Sequence, residues 1–223
     1  PYIGVAFFLI ALWSIIYFTK MPKASDAGPE INLKATLSRL LANKNYVWGV
    51  VAQFFYVGAQ IGVWSFTIRY VMNELSLNED DASTYYLYAL VLFMLSRFIC
   101  TALMKYIKPG KMLAVLAALA MVCTLVVMFG GGSTGVWALV LISGCMSLMF
   151  PTIYGLAVKG LGDDTKIGGS GLIMAILGGA VITAVQGQVS DVNSSVSFSY
   201  VVPFICFLVI AYYGFFVKHS TES

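Results

Sequence analysis

Charge is scarce in this chain. Its thirteen Lys and Arg and ten Asp and Glu are only 10% of 223 residues, against 60% hydrophobic ones. That balance excludes an ordinary soluble domain, whose charged share is about 25%. Histidine is scarcer still, with His219 the single example, and Cys100, Cys123, Cys145 and Cys206 form no CxxC pair. All four cysteines fall inside apolar runs, so they read as small buried residues and support neither a disulfide framework nor a metal site. No Asp or Glu lies in the middle of an apolar run, which leaves a membrane-embedded enzyme without a catalytic constellation. The absence of a charged ring or a repeated filter sequence disfavours a channel. No cofactor is expected.

What is abundant is uninterrupted apolar sequence. Runs of about 18 to 25 residues, enough to cross a bilayer, lie near 2–18, 46–72, 84–106, 111–129, 136–158, 168–189 and 199–217. The chain reads as an all-α polytopic membrane protein with seven spans. The first run begins at Pro1 and Tyr2 with no charged flank before it. It resembles neither a signal peptide nor a natural beginning, so the expectation is the back part of something longer.

Basic residues orient the spans. Lys20, Lys23, Lys34, Arg39, Lys44, Lys105, Lys108, Lys111, Lys159, Lys166 and Lys218 fall on one side, and only Arg69 on the other. The lysine-rich side is expected to be the cytoplasm, with the C-terminus there, in a multi-pass protein of the inner membrane. The net charge of +3 then reflects topology, and no nucleic-acid partner is expected. Four segments follow: a span at 1–19, a cytoplasmic linker at 20–45, six spans over 46–218 and a tail at 219–223. Within the linker, Leu33, Leu37, Leu40 and Leu41 recur at helical spacing among Lys34, Arg39 and Lys44, predicting a short amphipathic helix along the membrane surface.

The most informative stretch is 45–72, NYVWGVVAQFFYVGAQIGVWSFTIRYVM. On a helix, Gln53, Tyr56, Gln60, Trp64 and Thr67 fall within roughly 80° of one another, and Gly58 and Gly62 lie near the opposite side. An amide facing lipid has no partner, at a cost of a few kcal/mol. The polar stripe therefore suits either a solute-lined cavity or hydrogen-bonded helix contacts. The glycine stripe has the GxxxG spacing that lets a neighbouring backbone approach. Arg97, inside the second of the six spans, snorkels, faces water or pairs with a carboxylate or carbonyls within the bundle, and its depth favours pairing. In the fourth, Ser143, Ser147 and Tyr154 share one face, and Pro151 predicts a kink beside Tyr154. In the fifth, Gly171, Ala175, Gly179 and Thr183 recur every four residues, with Gln186 near their face toward the outer half. The third and sixth spans are nearly featureless. Polar seams in the first and fourth helices give a three-plus-three pattern that suits the inverted repeats of major facilitator transporters.

The segments AQFFYVGAQIGVWSFTIRYV, SRFICTALMKYIKPGKMLA, MSLMFPTIYGLAVKGLGDDTKIGGSGLIMAILGG and QGQVSD resemble the carboxyl-terminal half of L-fucose:proton symporters and their glucose/galactose-transporting relatives, over essentially residues 46–217. The resemblance implies alternating access in a twelve-span protein, with a sugar and a coupling proton as partners alongside the bilayer and an amino-terminal half of which this chain holds only the last span, residues 1–19. It also places the coupling carboxylates in that other half. Cys100 stands where the family usually has glycine, and Ala184 where proline commonly follows the threonine. Sugar hydroxyls call for amides and phenols, and an aromatic face stacks on the C–H side, so Gln53, Tyr56, Gln60, Trp64 and Tyr154 are the expected substrate contacts. Arg97, Pro151, Lys159, Asp164 and Gln186 are expected to gate or brace the bundle. The competing expectation is a membrane scaffold, or an orphan half with no activity of its own.

Overall fold

The structure, a computed structural model, describes residues 2–19 and 33–222. Contacts divide the chain into two compact units, with the boundary between Leu33 and Lys34. The first unit contains α1 (Tyr2–Phe18), a 17-residue apolar helix. Its one serine, Ser14, returns its hydroxyl to the Ile10 carbonyl at 2.8 Å, which satisfies a polar group within an apolar segment. The glycine and prolines that punctuate the linker, Pro22, Gly28 and Pro29, lie outside the described residues, as do Lys20 and Lys23.

The described residues of the second unit form helices joined by short turns, with no strand among them. It comprises α2 (Leu33–Ala42), α3 (Lys44–Leu75), α4 (Glu79–Leu103), α5 (Pro109–Phe129), α6 (Gly132–Met146), α7 (Met149–Val158), α8 (Thr165–Met174), α9 (Leu177–Val192), the single turn α10 (Val196–Ser199) and α11 (Val201–Glu222). Six segments are long and apolar enough to cross a membrane: α3, α4, α5, Gly132–Val158, Gly162–Val192 and Val196–Val217. At 17 residues α1 is apolar but shorter. Residues 219–222 of the expected tail continue α11.

Local chemistry sets the helix ends. The Asn43 side chain accepts the Tyr46 amide at 3.2 Å to start α3, and Ser76, with φ of 52°, ends it in the left-handed region. Asn78 accepts the Asp81 amide at 2.8 Å, and Glu79, Asp80 and Asp81 place negative charge in the first turn of α4, where the helix dipole favours it. Pro109 opens α5 at the position where a missing N–H costs nothing.

α3 is the hub, packing on α4, α6, α7, α9 and α11. Its glycine stripe does what GxxxG spacing predicts. A methyl group at Gly58 would stand 2.5 Å from Ile182 of α9, and one at Gly62 would collide with the Gln186 amide oxygen. α9 reciprocates: a methyl at Gly178 would collide with the Phe54 carbonyl, and one at Gly179 with Ile61. At Gly178 backbone meets backbone, and at the other three glycines a side chain of the facing helix fills the space that the missing Cβ leaves. α5 lays Leu113, Ala117, Ala120 and Val127 into the core and turns Val115, Leu119, Val122 and Leu125 outward, the scaffold role that its featureless sequence implied. At the end opposite the lysines, the Glu74 carboxylate accepts the Gly132 amide at 2.7 Å and the Ser197 hydroxyl at 2.8 Å, tying α3 to the α5–α6 turn and to α10.

Two spans are interrupted, and neither break falls where the sequence placed a bend. The kink expected beside Tyr154 lies upstream, at Ser147 and Leu148 between α6 and α7. Proline removes the hydrogen bond to the carbonyl four residues before it, and four before Pro151 is Ser147. The span over Gly162–Val192 breaks at Ala175 and Ile176, where a run of three-residue bonds replaces the regular ladder: Ile176 to Ile173 at 3.0 Å, Gly178 to Ala175 at 3.0 Å and Gly179 to Ile176 at 2.9 Å. This tightened turn precedes the point where Gly178 meets the Phe54 carbonyl.

Candidate functional site

The α6–α7 break gathers the polar side chains of the neighbouring helices. The Ser147 carbonyl, left without the Pro151 amide, accepts two bonds from Arg97 of α4, from Nε at 3.1 Å and Nη2 at 3.0 Å. One residue earlier, the Met146 carbonyl accepts the Tyr56 hydroxyl of α3 at 3.0 Å. Thus two side chains from two helices hold adjacent carbonyls of a third. The expectation that Arg97 pairs within the bundle is met by a carbonyl rather than a carboxylate, which suits a segment with no acidic residue nearby in sequence.

Aromatic rings continue the cluster. Arg97 lies over the Phe93 ring at 5.3 Å, and Phe93 receives the edge of Trp64 at 5.1 Å between centroids. The Trp64 indole N–H donates to Ser143 Oγ at 3.3 Å, and Tyr56 meets Phe150 edge-on at 6.1 Å. α3, α4 and the α6–α7 pair therefore meet at one junction of phenol, indole, guanidinium and hydrogen-bonded backbone carbonyls.

The anticipated contacts fall into separate environments. Gln60 and Trp64, one turn apart on α3, are half-buried. Tyr56 is fully buried, with its hydroxyl committed to Met146. Gln53 is also fully buried, and neither its amide nitrogen nor its oxygen has a protein partner. The polar face of α3 therefore turns into the six-helix unit at Gln53, Tyr56 and Thr67 and reaches its margin only at Gln60 and Trp64. Tyr154 is not brought to this junction. The helix break carries it toward the lysine-bearing end, where its hydroxyl faces Gly169 and it packs beside Leu40, Tyr46 and Leu172.

The gating residues also divide. Gln186 is fully buried against Gly62 with both amide atoms unpartnered, and Thr183 Oγ1 beside it is unpartnered as well. Asp164 is paired, but with a residue the sequence did not connect to it. Arg39 of α2 grips its carboxylate with two bonds, at 2.8 and 2.6 Å, and also donates to Thr36 Oγ1 at 3.0 Å. The Arg39 hydrogen bond holds the Asp164 carboxyl below the usual carboxylate range. α2 is thereby pinned, with Leu40 and Thr36 buried and Leu37 and Leu41 exposed. Lys159 is exposed and unpaired among the described residues.

Sequence reasoning missed Phe93, Arg39, Glu74 and Asn45, whose amide donates to the Leu156 carbonyl at 2.9 Å. Phe93 had an available signal, since it stands one helical turn before Arg97. No group of three or more His, Cys, Asp or Glu side chains able to hold a metal occurs among the described residues.

No protein-family profile matches the chain. A solved structure of the Escherichia coli fucose:proton symporter FucP superposes with a TM-score of 0.89 at 36% identity, over 97% of this chain and 54% of the other. The fold is that of about half of a major facilitator superfamily transporter. Within that class, the chain is 43% identical to the L-fucose-proton symporter of Haemophilus influenzae over 222 residues, 96% of this chain and 51% of that protein. It is 33% identical to a glucose/galactose transporter of Brucella abortus over 216 residues, 96% of this chain and 52% of that protein. Its sequence relatives are thus sugar transporters of the fucose and glucose/galactose type, resembling the expected carboxyl-terminal half, and it spans about half the length of the curated relatives it matches.

Proposed function

We propose that this chain supplies the carboxyl-terminal six-helix half of a secondary active transporter that moves L-fucose or a related hexose with a proton by alternating access. On this reading, α1 is the last helix of an amino-terminal half, residues 20–45 are the connection, and the lysine-rich end with the C-terminus faces the cytoplasm of a cell whose inner membrane holds the protein. The superposition on FucP over 97% of the chain carries the proposal. The junction supports it chemically. Gln60 offers an amide and Trp64 an apolar ring at the margin of the bundle, the two functions that a hexose's hydroxyls and C–H face require. Gln53 and Tyr56 stand behind them, Tyr56 as a brace for the helix break and Gln53 as a buried amide awaiting a partner, whether water or a sugar hydroxyl.

The coupling proton would bind elsewhere, because no Asp or Glu lies in the interior of the spans described. That observation favours a second reading for the chain on its own, a folded but non-transporting half. Uptake of labelled fucose, glucose and galactose by the full-length protein, with and without an inward pH step, tests the proposal. Fucose uptake driven by the step supports it, and no sugar uptake under any gradient rejects it. In the same protein, Gln60→Ala should weaken sugar binding tenfold or more with membrane insertion unchanged. Unchanged binding removes Gln60 from the site.

A further inference from the structure

At the lysine-bearing end of the unit, the end of α4, the start of α5, α7 and the end of α11 enclose a cavity of about 350 Å³. Its wall is mostly apolar, with Met104, Pro109, Pro151, Leu156 and Val217 contributing. Lys108, Lys111 and Lys159 also stand on it, and no carboxylate does. Lys111 and Lys159 are exposed and have no ion-pair partner among the described residues. At the same end of the unit Arg39 closes onto Asp164 at 2.6 Å, whereas the pocket carries lysines with no carboxylate in its lining.

The cavity also has a built floor. Gly155 of α7 lies on it, and a Cβ added there would meet nothing within 4 Å. Every other helical spot where this unit uses glycine in α3 brings a neighbour into contact, at Gly49, Gly58 and Gly62. At Gly155 the missing side chain leaves room instead. A larger residue would improve helix propensity and fill apolar space, so packing alone gives no reason for the opening.

We propose that this pocket binds an anionic glycerophospholipid from the adjoining leaflet. Its phosphate would lie against Lys111 and Lys159, with Lys108 at the rim, and an acyl segment would run along Pro151, Gly155 and Leu156. Both halves of the pocket are matched only by an anionic amphiphile. A neutral sugar leaves the lysines unanswered, free phosphate leaves the apolar wall empty, and a zwitterionic lipid brings no net charge. The volume falls in the range of small-ligand sites, about 300 to 1,000 Å³, and basic pockets between membrane helices are a recognised setting for anionic headgroups. The proposal stands on the membrane fold alone and does not depend on which solute is carried.

The test uses the purified chain, stripped of lipid in detergent and titrated with phosphatidylglycerol, phosphatidylcholine or inorganic phosphate under native mass spectrometry. Phosphatidylglycerol should be retained at least fivefold more than phosphatidylcholine. The Lys111→Gln, Lys159→Gln double variant should lower that retention at least fivefold. Gly155→Leu should abolish the preference while keeping all three lysines, and because it projects into open space it provides a folded arm if the double variant does not fold. Far-UV circular dichroism and a thermal melt verify folding for each. Equal retention of the two lipids, or undiminished phosphatidylglycerol binding in a folded Gly155→Leu variant, overturns the proposal. Displacement of phosphatidylglycerol by stoichiometric inorganic phosphate also overturns it, by showing that the pocket reads a small anion.

Discussion

Replacing Arg97 with methionine keeps apolar bulk on α4 but removes both donors from the Ser147 carbonyl and the charge from the Phe93 ring. Hydrogen bonds from a charged donor contribute about 1.5 to 3 kcal/mol net, and a cation–ring contact about 0.5 to 1 kcal/mol at an exposed site. Because Arg97 is exposed as a residue and its bonds to Ser147 are only part-buried, the low ends apply, and Arg97→Met should destabilise the unit by about 2 kcal/mol, roughly thirtyfold in the folding equilibrium. The same substitution should cost far less when Pro151 is alanine. The restored amide at 151 can then reach the Ser147 carbonyl along the regular ladder, and only the ring contact, about 0.5 kcal/mol, is lost with the arginine. A coupling of about 1.5 kcal/mol between two residues that are not bonded to each other is therefore expected, well inside the range for sites sharing a partner. Reversible unfolding of the four proteins in mixed micelles, followed by far-UV circular dichroism, measures it. If the two effects add to within about 0.5 kcal/mol, Arg97 is not the surrogate for the missing proline donor and the account of the break fails.

Three further outcomes are expected. Gly178→Ala should destabilise by about 2 to 4 kcal/mol, since its methyl meets the Phe54 backbone and forces α3 and α9 apart, whereas Gly155→Ala should be neutral or stabilise by about 0.5 to 1 kcal/mol; thermal melts of the two decide. Asp164 has a depressed folded-state pKa, so its support for the docked α2 is present above the ordinary value of 3.8 and lost as pH falls through the lower folded value. Hydrogen exchange over 33–42 should stay slow down to about pH 4 in the wild type and rise at neutral pH in Asp164→Asn, and equal exchange in both would contradict the latch. With the four native cysteines buried, a cysteine at Ser133 should be labelled by an impermeant reagent from outside the cell and one at Asp163 should not, the reverse pattern inverting the orientation.

The long apolar runs were legible because crossing a membrane imposes a length that composition alone reveals, and the glycine stripe of α3 was legible because close helix approach imposes a spacing. Breaks were harder. Pro151 signalled one, but proline acts through the carbonyl a turn before it, so the bend sits at Ser147 and not at Tyr154. The interruption at Ala175 has no proline at all, and it accompanies a backbone contact between Gly178 and Phe54 that only the packed structure contains. The polar face of α3 was correctly grouped by periodicity. What surrounds that face depends on the helices packed against α3, and so Gln53 and Tyr56 lie inside the unit while Gln60 and Trp64 reach its edge. The partner of Asp164 lies 125 residues away in sequence, a distance at which no local pattern operates.

The carboxylate of Glu74 has a consequence for any movement at the end opposite the lysines. A single anion fastens the last turn of one helix, the amide opening a second and a hydroxyl on a third. Tilting the long hub helix therefore drags a hairpin and a short connecting turn with it, as a knot draws three cords. Connections joined in this way are expected to travel as one flap.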